Sequence, residues 1–185
     1  MSTQTEHRFR RLFDDYHRQV YVYCRRRVDE ETARECAAET FLVAWRRIDT
    51  VPSGDRALHW LYGVARRVLA NRFRSERRFR RLITRLSGLA PDPAPSPEAV
   101  VVRRVEDQEV LEALGRLRGE DQELLRLAVW EELSHGEIGE VLECSAHAVD
   151  QRIRRAEGRL ASELHRAGHK HQQKTAPNPS RGEQT

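Results

Sequence analysis

Apolar residues recur at intervals of three and four along the N-terminal half of this chain, a spacing that predicts amphipathic helices. The first helix is predicted from the stripe Phe9, Leu12, Phe13, Tyr16, Val20, Tyr23, Cys24 and Val28. Asp29 and Thr32 mark the start of a second helix, because an aspartate at this position accepts hydrogen bonds from free backbone amides. That helix is predicted to continue to about Ile48. Since no segment alternates apolar and polar residues over a strand's length, the expected fold class is all-α.

A third helix is predicted to begin near Arg56, after a loop that contains Pro52 and Gly54. Its apolar stripe is Leu58, Leu61, Tyr62, Ala65, Val68, Leu69 and Phe73, and its far end carries Arg66, Arg67, Arg72, Arg74, Arg77, Arg78, Arg80 and Arg81. A row of arginines can be simply a solvated helix surface. Because eight like charges repel one another, an anionic partner is the more economical interpretation.

Prolines at every second position, from Pro91 to Pro97, predict an extended segment that cannot pack a core. We therefore expect two small helical domains, at residues 1–86 and 99–165, joined by a proline-rich linker at 87–98. Ser96, Pro97 and Glu98 have the composition of a helix start, so helix is predicted to resume there. Residues 166–185 are polar and contain proline, which predicts a disordered tail.

A helix-turn-helix is predicted between Leu133 and Leu160. Ser134 and Glu137 form a capping-box pattern, which starts a helix that ends near Leu142. After a three-residue turn, Val149, Ile153, Ala156 and Leu160 recur on what should be the buried side of a second helix, with Ile138, Val141 and Leu142 as partners. Its other side offers His147, Ala148, Gln151, Arg152, Arg154 and Arg155, which suits a helix laid in the major groove of DNA.

Composition supports an anionic partner and excludes several functions. The net charge is +4 and the pI is about 9.3, with 34% charged residues. The three cysteines form no CxxC pair, so neither a disulfide framework nor a zinc site is predicted. Cys24 and Cys36 lie among apolar positions, whereas Cys144 in the turn is a candidate redox switch. With no signal-peptide pattern and no membrane-length apolar stretch, we expect a cytoplasmic protein without direct membrane insertion.

The sequence contains no recognisable catalytic constellation. We find no nucleophile beside a base, no phosphate-binding loop and no paired carboxylates, so we expect neither an enzyme nor a small-molecule substrate or cofactor. His165, His169 and His171 could bring two imidazoles together, but they have no cysteine or carboxylate partner nearby, and no metal site is predicted.

Three blocks of sequence, in a fixed order, carry a family resemblance. They are ETFLVAWRRID at residues 39–49, HWLYGVARRVLANRFRSERR at residues 59–78, and the helix-turn-helix. Together they resemble an extracytoplasmic-function (ECF) sigma factor of the sigma-70 family, from about Phe9 to Leu164. The resemblance implies region 2 in the first domain and region 4 in the second. It also implies that region 2 opens the promoter -10 element and that region 4 reads the -35 element as duplex.

The resemblance also implies partners and site residues. The partners are core RNA polymerase, through the clamp helices of its largest subunit and the flap of its second-largest subunit, promoter DNA, and an anti-sigma factor. Location in the cytoplasm, at the nucleoid through polymerase, follows. The implied polymerase-binding residues are Glu39, Phe41, Leu42, Trp45 and Arg46. The implied -10 residues are Ser53, Gly54, Asp55, Arg56, Trp60, Arg66, Arg67, Asn71 and Arg74. The implied -35 residues are Ser145, His147, Ala148, Gln151, Arg152, Arg154 and Arg155.

Several alternatives stay open at this point. Phe41 and Trp45 fit either anchors for polymerase or the core of a bundle, and Trp60 or Tyr62 fits either a base-stacking or a core aromatic. A stand-alone helix-turn-helix regulator would have a similar C-terminal half. An interaction protein that sequesters a sigma or anti-sigma factor would also use a basic helix.

The chain departs from the family pattern at a few positions. Ala38 stands where glutamine is common, so one polar polymerase contact is absent. Glu143 holds the turn position that is usually glycine, at a cost of roughly 1 kcal/mol if its backbone is left-handed. His147 and Ala148 replace a common Gly-Thr pair, and Asp150 replaces a lysine, so the -35 preference should differ from the usual one.

Overall fold

The computed structural model describes residues 3–87 and 105–175, and every regular element in those ranges is a helix. The elements are α1 (Thr3–Arg25), α2 (Glu30–Arg46), a short 3₁₀ turn (Ile48–Thr50), α3 (Arg56–Ser87), α4 (Val105–Arg116), α5 (Gly119–Val129), α6 (His135–Leu142) and α7 (Ala146–Thr175). The all-α prediction is confirmed. The linker predicted at 87–98 lies outside the described residues except for Ser87, as does the helix start predicted at Ser96.

The predicted start of α2 is confirmed in atomic detail. The side chain of Asp29 accepts a hydrogen bond from the backbone amide of Thr32, with 3.0 Å between nitrogen and oxygen. Hydrogen bonds from the Thr32 backbone and side chain hold the pKa of Asp29 below its usual value. The charged carboxylate therefore stabilises the helix start, where free amides and the helix dipole both favour a negative charge.

The helices form two compact units that differ from the expected consecutive domains. The first unit contains α1, α2, α3 and also α6 with its flanking residues Leu133–Ala146. The second unit contains α4, α5 and α7. The domain prediction had placed α6 with α4, α5 and α7 at residues 99–165. The structure groups it with the first three helices because α6 packs along α3.

The core of the first unit is built on α3, whose apolar side is covered by α1 and α2. Tyr23 of α1 is fully buried, and its ring stacks on that of Tyr62 at 4.8 Å between centroids. The guanidinium carbon of Arg27 lies 3.5 Å from the centre of the Tyr23 ring, and Arg27 donates a hydrogen bond to the carbonyl of Tyr23. A buried arginine is acceptable here because an aromatic face and a carbonyl both compensate its charge.

In the second unit the buried side chains lie on α4, α5 and α7 and in the short segment between α4 and α5. They are Ala113, Leu114, Leu117, Leu124, Leu125, Leu127, Val149, Ile153 and Ala156. Arg159 of α7 and Asp121 of α5 form an ion pair at 2.7 Å. The predicted apolar stripe of α7 is thus confirmed as buried at three of its four positions, and Leu160 is half-buried.

The prediction that disorder begins at residue 166 is wrong for its first ten residues, because α7 continues to Thr175. The polar composition of this stretch is compatible with an exposed helix as well as with disorder. Extending an existing helix costs far less than nucleating one, and no proline occurs between Pro97 and Pro177. Residues 176–185 lie outside the described part of the chain. None of the described helices is long and apolar enough to cross a membrane.

We expect Asp29→Ala to lower the free energy of unfolding by about 1 kcal/mol, since the substitution removes the acceptor for the Thr32 amide. The folded pKa of Asp29 lies below its unfolded value, so this difference between the two proteins is fully present above the unfolded pKa. It should shrink as the pH falls through the folded pKa, where the carboxyl becomes protonated. Urea unfolding followed by circular dichroism at several pH values measures it. A difference that grew on acidification would contradict the assignment.

Candidate nucleic-acid and protein interfaces

An apolar groove of about 610 Å³ runs between α1 and α2. Its aromatic wall is an interlocked cluster: Phe9 contacts Trp45 edge-on at 5.0 Å between centroids, and Phe13 contacts Phe41 at 4.9 Å. The groove is lined by Glu6, Phe9, Arg10, Phe13, Ala38, Phe41, Leu42 and Trp45. A concave apolar surface with a charged rim is the usual form of a protein-docking site.

The groove brings together three of the five residues predicted to face polymerase. Leu42 is 46% exposed on its rim, Trp45 is half-buried, and Phe41 is only 3% exposed. Phe41 is therefore the floor of the groove as well as part of the core. Glu39 and Arg46 are exposed on the same helix but do not line the groove.

Sequence reasoning missed the contribution of α1 to this groove. The sequence predicts only that Phe9 and Phe13 belong to the apolar stripe of α1, yet both line the groove and Phe13 is 38% exposed. The available signal was their spacing, because aromatic residues at i and i+4 on α1 repeat the pattern of Phe41 and Trp45 on α2.

The loop that precedes α3 is held in place by α1. The guanidinium of Arg8 donates to the carbonyl of Val51 at 2.5 Å, and the hydroxyl of Tyr16 donates to the carbonyl of Gly54 at 3.3 Å. Burial, with the nearby charges of Asp15 and Asp55, raises the pKa of Tyr16, so the hydroxyl keeps its proton. Gly54 has φ +66°, a left-handed conformation that favours glycine. Ser53, Gly54, Asp55 and Arg56 are all exposed.

One side of α3 carries a polar stripe, composed of Arg56, Trp60, Gly63, Arg67, Asn71 and Arg74, whose members are three or four residues apart. We call it the α3 stripe. Asn71 and Arg74 are exposed and hydrogen-bonded to each other, and Trp60 is half-buried. The structure places Arg66 beside this stripe rather than on it. The Nε of Arg66 is buried and has no hydrogen-bond partner within the described residues.

The two aromatic candidates for base stacking differ in their burial. Tyr62 is only 4% exposed and stacks on Tyr23, so it belongs to the core. Trp60 lies on the α3 stripe and retains accessible surface.

Helix α6 lies against the N-terminal half of the α3 stripe. Its Glu140 pairs with Arg56 at 3.2 Å and accepts a hydrogen bond from Nδ1 of His59 at 2.9 Å. Nε2 of His59 lies 3.6 Å from Glu137. Because these carboxylates cover it, His59 is only 6% exposed.

Two further contacts complete the α3–α6 interface. Glu143, which follows α6, forms an ion pair with Arg67. A Cβ placed on Gly63 would lie 3.3 Å from the carbonyl oxygen of Val141, so the two backbones approach to van der Waals distance. Sequence reasoning paired none of these residues, since they are separated by about eighty positions.

The predicted capping box at the start of α6 is present. The Ser134 hydroxyl accepts from the Glu137 amide, and the Glu137 carboxylate accepts from the Ser134 amide at 2.7 Å. These hydrogen bonds, reinforced by the nearby His59, hold the pKa of Glu137 below its usual value.

The turn after α6 depends on Glu143 and Gly139. Glu143 has φ 57° and ψ 44°, so its backbone is left-handed and the cost of roughly 1 kcal/mol for a residue other than glycine applies. The amide of Cys144 donates to the carbonyl of Gly139 at 2.9 Å. A Cβ on Gly139 would lie 2.6 Å from the carbonyl oxygen of Cys144, so only glycine fits there.

The exposed side of α7 carries most of the residues predicted to read duplex DNA. His147, Gln151, Arg154 and Arg155 are exposed, Ala148 is half-buried, and all five fall within about 120° of helix surface. Arg154 pairs with Asp150 at 3.3 Å. Arg152 lies at the edge of this surface, where it pairs with Glu120 at 3.8 Å. Ser145 is exposed in the turn.

The cysteines differ in their burial. Cys24 and Cys36 are buried, as predicted, and burial raises the pKa of Cys36 to about 11. Cys144 is partly exposed, and its redox role stays a hypothesis. No group of three metal-ligating side chains occurs in the part of the chain that the structure describes. His165 is exposed, and the side chains of His169 and His171 fall outside the described set.

Comparison with known proteins identifies the family. Residues 12–79 match the model of sigma-70 region 2, and residues 107–160 match that of sigma-70, region 4. The chain is 31% identical to RNA polymerase sigma factor NccH of Alcaligenes xylosoxydans xylosoxydans, over 74% of its own length and 75% of NccH. It is 36% identical to ECF RNA polymerase sigma factor BldN of Streptomyces coelicolor, over 72% of its own length. The match spans about half of BldN, 52% of its length.

A solved structure supports the fold. Sigma factor RpoE of Bartonella quintana, determined in complex with the anti-sigma factor NepR, superposes with a TM-score of 0.58 at 21% identity, covering 84% of this chain and 96% of that one. Regions 2 and 4 in one chain define a sigma-70-type protein. The chain belongs to the ECF sigma factors of that family.

We expect Gly139→Ala to lower the free energy of unfolding by about 1 to 2 kcal/mol. The added methyl group meets the Cys144 carbonyl, and overpacking of this kind outweighs the better helix propensity of alanine. Gly158→Ala in α7 is the matched control, since a Cβ there meets nothing within 4 Å and should stabilise the helix by up to about 1 kcal/mol. Urea unfolding measures both. If Gly139→Ala proved as stable as Gly158→Ala, the close contact in the turn would be refuted.

Proposed function

We propose that this chain joins core RNA polymerase, directs it to specific promoters, opens the -10 element with the loop and stripe of α3, and reads the -35 element with α7. The observation that carries the proposal is the α3 stripe. It aligns Trp60, Arg67, Asn71 and Arg74 on the polar side of a helix whose other side is core, beside the exposed loop 53–56. No bond is made or broken by the chain itself.

Capture of a melted strand needs cations for phosphates and a surface for unstacked bases. Arg67 and Arg74 supply charge along the stripe, Asn71 supplies amide donors and acceptors, and Trp60 supplies a partly exposed aromatic ring. Base–aromatic stacking contributes roughly 1–3 kcal/mol per base. The interactions favour the open strand because a paired base cannot stack on a protein ring, so binding energy is available only after melting.

The apolar groove between α1 and α2 suits the docking of polymerase. Phe9, Phe13, Phe41 and Trp45 form a preformed wall, and a rigid aromatic wall loses little conformational entropy on binding. Leu42 on the rim would gain most from being covered. Glu39 and Arg46 flank the groove as charged contacts that set orientation.

Duplex recognition falls to α7. Gln151 and Arg155 lie at the centre of its exposed surface and have side chains that can contact base edges, while Arg154 is placed for phosphate. Arg152, paired with Glu120 at the edge, is better placed to contact the DNA backbone.

We propose an anti-sigma factor as a further partner, because RpoE was solved bound to one. The α1–α2 groove is the surface on which it would exclude polymerase. Because polymerase acts on the chromosome, we expect a protein bound to it to be cytoplasmic and associated with the nucleoid.

A stand-alone helix-turn-helix regulator is not favoured. Such a protein would need only the region 4 match, whereas residues 12–79 match region 2 and carry the groove and the α3 stripe. An interaction protein that only sequesters a partner would not require the DNA-binding residues on the exposed surface of α7.

In vitro transcription with purified core polymerase and genomic fragments from the bacterium that carries the gene tests the proposal. The full chain should co-elute with core polymerase and initiate at defined sites. Leu42→Glu should abolish co-elution, because it places a charge on an apolar docking surface, while duplex binding persists. Asn71→Ala should reduce open-complex formation without loss of co-elution. Absence of both co-elution and initiation would refute the sigma-factor function.

We expect Arg155→Ala to weaken binding to a promoter duplex selected in that assay by about 1 to 3 kcal/mol, the usual size of a bidentate base contact. Arg116→Ala removes the same charge from α4, away from the recognition surface, and serves as control. Fluorescence anisotropy with the selected duplex and with a scrambled one measures both variants. Equal losses for the two variants would show that recognition does not pass through this surface of α7.

A further inference from the structure

Two side chains of α1 hold the loop between α2 and α3, the same loop to which the preceding subsection assigns promoter DNA. We propose that Tyr16 and Arg8 are positioning residues for this loop, which set the selectivity for the -10 element without touching DNA themselves. The proposal rests on the proposed function of the loop and the α3 stripe. It adds a determinant of that function on a different helix.

The loop needs a restraint from outside because packing fixes only its first part. Ile48 and Val51 are each 4% exposed, so the chain is anchored in the core up to that point. Residues 53–56 are all exposed, and a Cβ added to Gly54 would meet nothing within 4 Å. An exposed segment with few packed side chains opens readily unless hydrogen bonds hold it. The position of residues 53–56 therefore depends on the hydrogen bonds that they make.

The carbonyl oxygen of Gly54 is the point at which α1 holds the loop. It accepts from the Tyr16 hydroxyl at 3.3 Å and from the Ala57 amide at 2.9 Å, and a carbonyl oxygen can accept both. Because Ala57 is in the first turn of α3, one oxygen connects α1, the loop and the start of α3. Burial, with the charges of Asp15 and Asp55, raises the pKa of Tyr16, so the hydroxyl remains a donor.

Arg8 supplies a second restraint, at the beginning of the loop. Its guanidinium donates to the carbonyl of Val51 at 2.5 Å, and a charged donor makes this a strong type of hydrogen bond. Leu12 lies on the same side of α1, four residues from both Arg8 and Tyr16, and is only 7% exposed. Because the core holds Leu12, the two donors have a rigid support and a fixed spacing.

The loop groups that α1 positions are suited to reading bases. The backbone amides of Gly54 and Asp55 donate no hydrogen bond to any described residue, so both are available to a ligand. Recognition by hydrogen bonds requires donors held within about 0.5 Å of their working positions. A strand can still bind a mobile loop through its phosphates, but phosphate contacts carry no sequence information. Loss of the restraint should therefore lower selectivity more than affinity.

The test uses holoenzyme reconstituted from the full chain and core polymerase. The probes are fluorescein-labelled single strands that carry the -10 element of a promoter selected in the transcription assay, with scrambled strands of the same composition as the reference. Anisotropy measures both affinities. We expect Tyr16→Phe to lower the ratio of the two affinities about threefold, which corresponds to one hydrogen bond. Affinity for the scrambled strands and co-elution with core polymerase should stay unchanged.

Tyr21→Phe is the matched control. Tyr21 lies on the same helix, and its hydroxyl makes no hydrogen bond within the described residues, so the substitution removes a hydroxyl without touching the loop. Its selectivity should equal that of the wild type. Arg8→Ala should also lower selectivity, whereas Arg8→Lys, which keeps a cationic donor, should retain most of it. Arg11→Ala, at an exposed arginine of α1, controls for the lost charge.

Hydrogen exchange follows the loop directly. The amides of Ala57 and Leu58 donate to the carbonyls of Gly54 and Asp55. Their exchange should become faster in Tyr16→Phe and stay unchanged in Tyr21→Phe. This signature reports the restraint at the start of α3 and separates it from any change in polymerase docking.

The outcomes separate this inference from the proposed function. If Tyr16→Phe keeps the selectivity of the wild type, or if Tyr21→Phe loses as much, the inference is refuted. Equal losses of affinity for the -10 and scrambled strands would reduce Tyr16 to a structural role and would also refute it. Failure of the proposed function has a different result: Asn71→Ala would leave binding of the -10 strands unchanged, whatever Tyr16→Phe does.

Discussion

Helix α3 has two sides with opposite demands, and the first unit is arranged around them. On one side Ala57, Leu61, Ala65, Val68 and Leu69 are buried against α1 and α2, and each methylene buried there contributes roughly 0.8 kcal/mol. The other side carries the polar stripe. Because the backbone of a helix is rigid, burial of the apolar side fixes the direction and spacing of every side chain on the stripe. Packing of the core therefore fixes the geometry of the proposed nucleic-acid-binding surface.

Core packing also shapes the groove between α1 and α2. Phe41 is needed by the core and also forms the floor of the groove, so packing and docking share one side chain. Ala38 lines this groove and contributes a small apolar side chain to it. A partner that fits it should rely on aliphatic or aromatic contacts there.

The unusual residues of the helix-turn-helix acquire specific roles from their neighbours. Glu143 adopts a backbone that costs about 1 kcal/mol relative to glycine, yet it meets Arg67 on α3. Asp150 would repel phosphate if it stood alone, but it pairs with Arg154 at 3.3 Å, so its charge is partly neutralised. In both cases the departure from the family pattern is matched by an arginine, and the net electrostatic effect is smaller than the sequence alone indicates.

Local structure was readable from the sequence because it depends on near neighbours. The N-cap at Asp29 and the capping box at Ser134 each follow from residues three positions apart. The order of three sequence blocks likewise identified the family, since a family pattern is itself a property of the sequence. Composition was the weaker guide, as the continuation of α7 to Thr175 shows.

Tertiary structure determined which helices and which side chains face one another. Only packing could show that Tyr62 belongs to the core while Trp60 does not. It also showed that Phe9 and Phe13 line a groove and that α6 packs against the N-terminal half of the α3 stripe. Helical periodicity gives the side of a helix on which a residue lies, but it carries no information on which other helix meets that side. The sequence thus determined the helices, their caps and the family, whereas the pairing of Glu140 and Glu143 with arginines about eighty positions away required the folded chain.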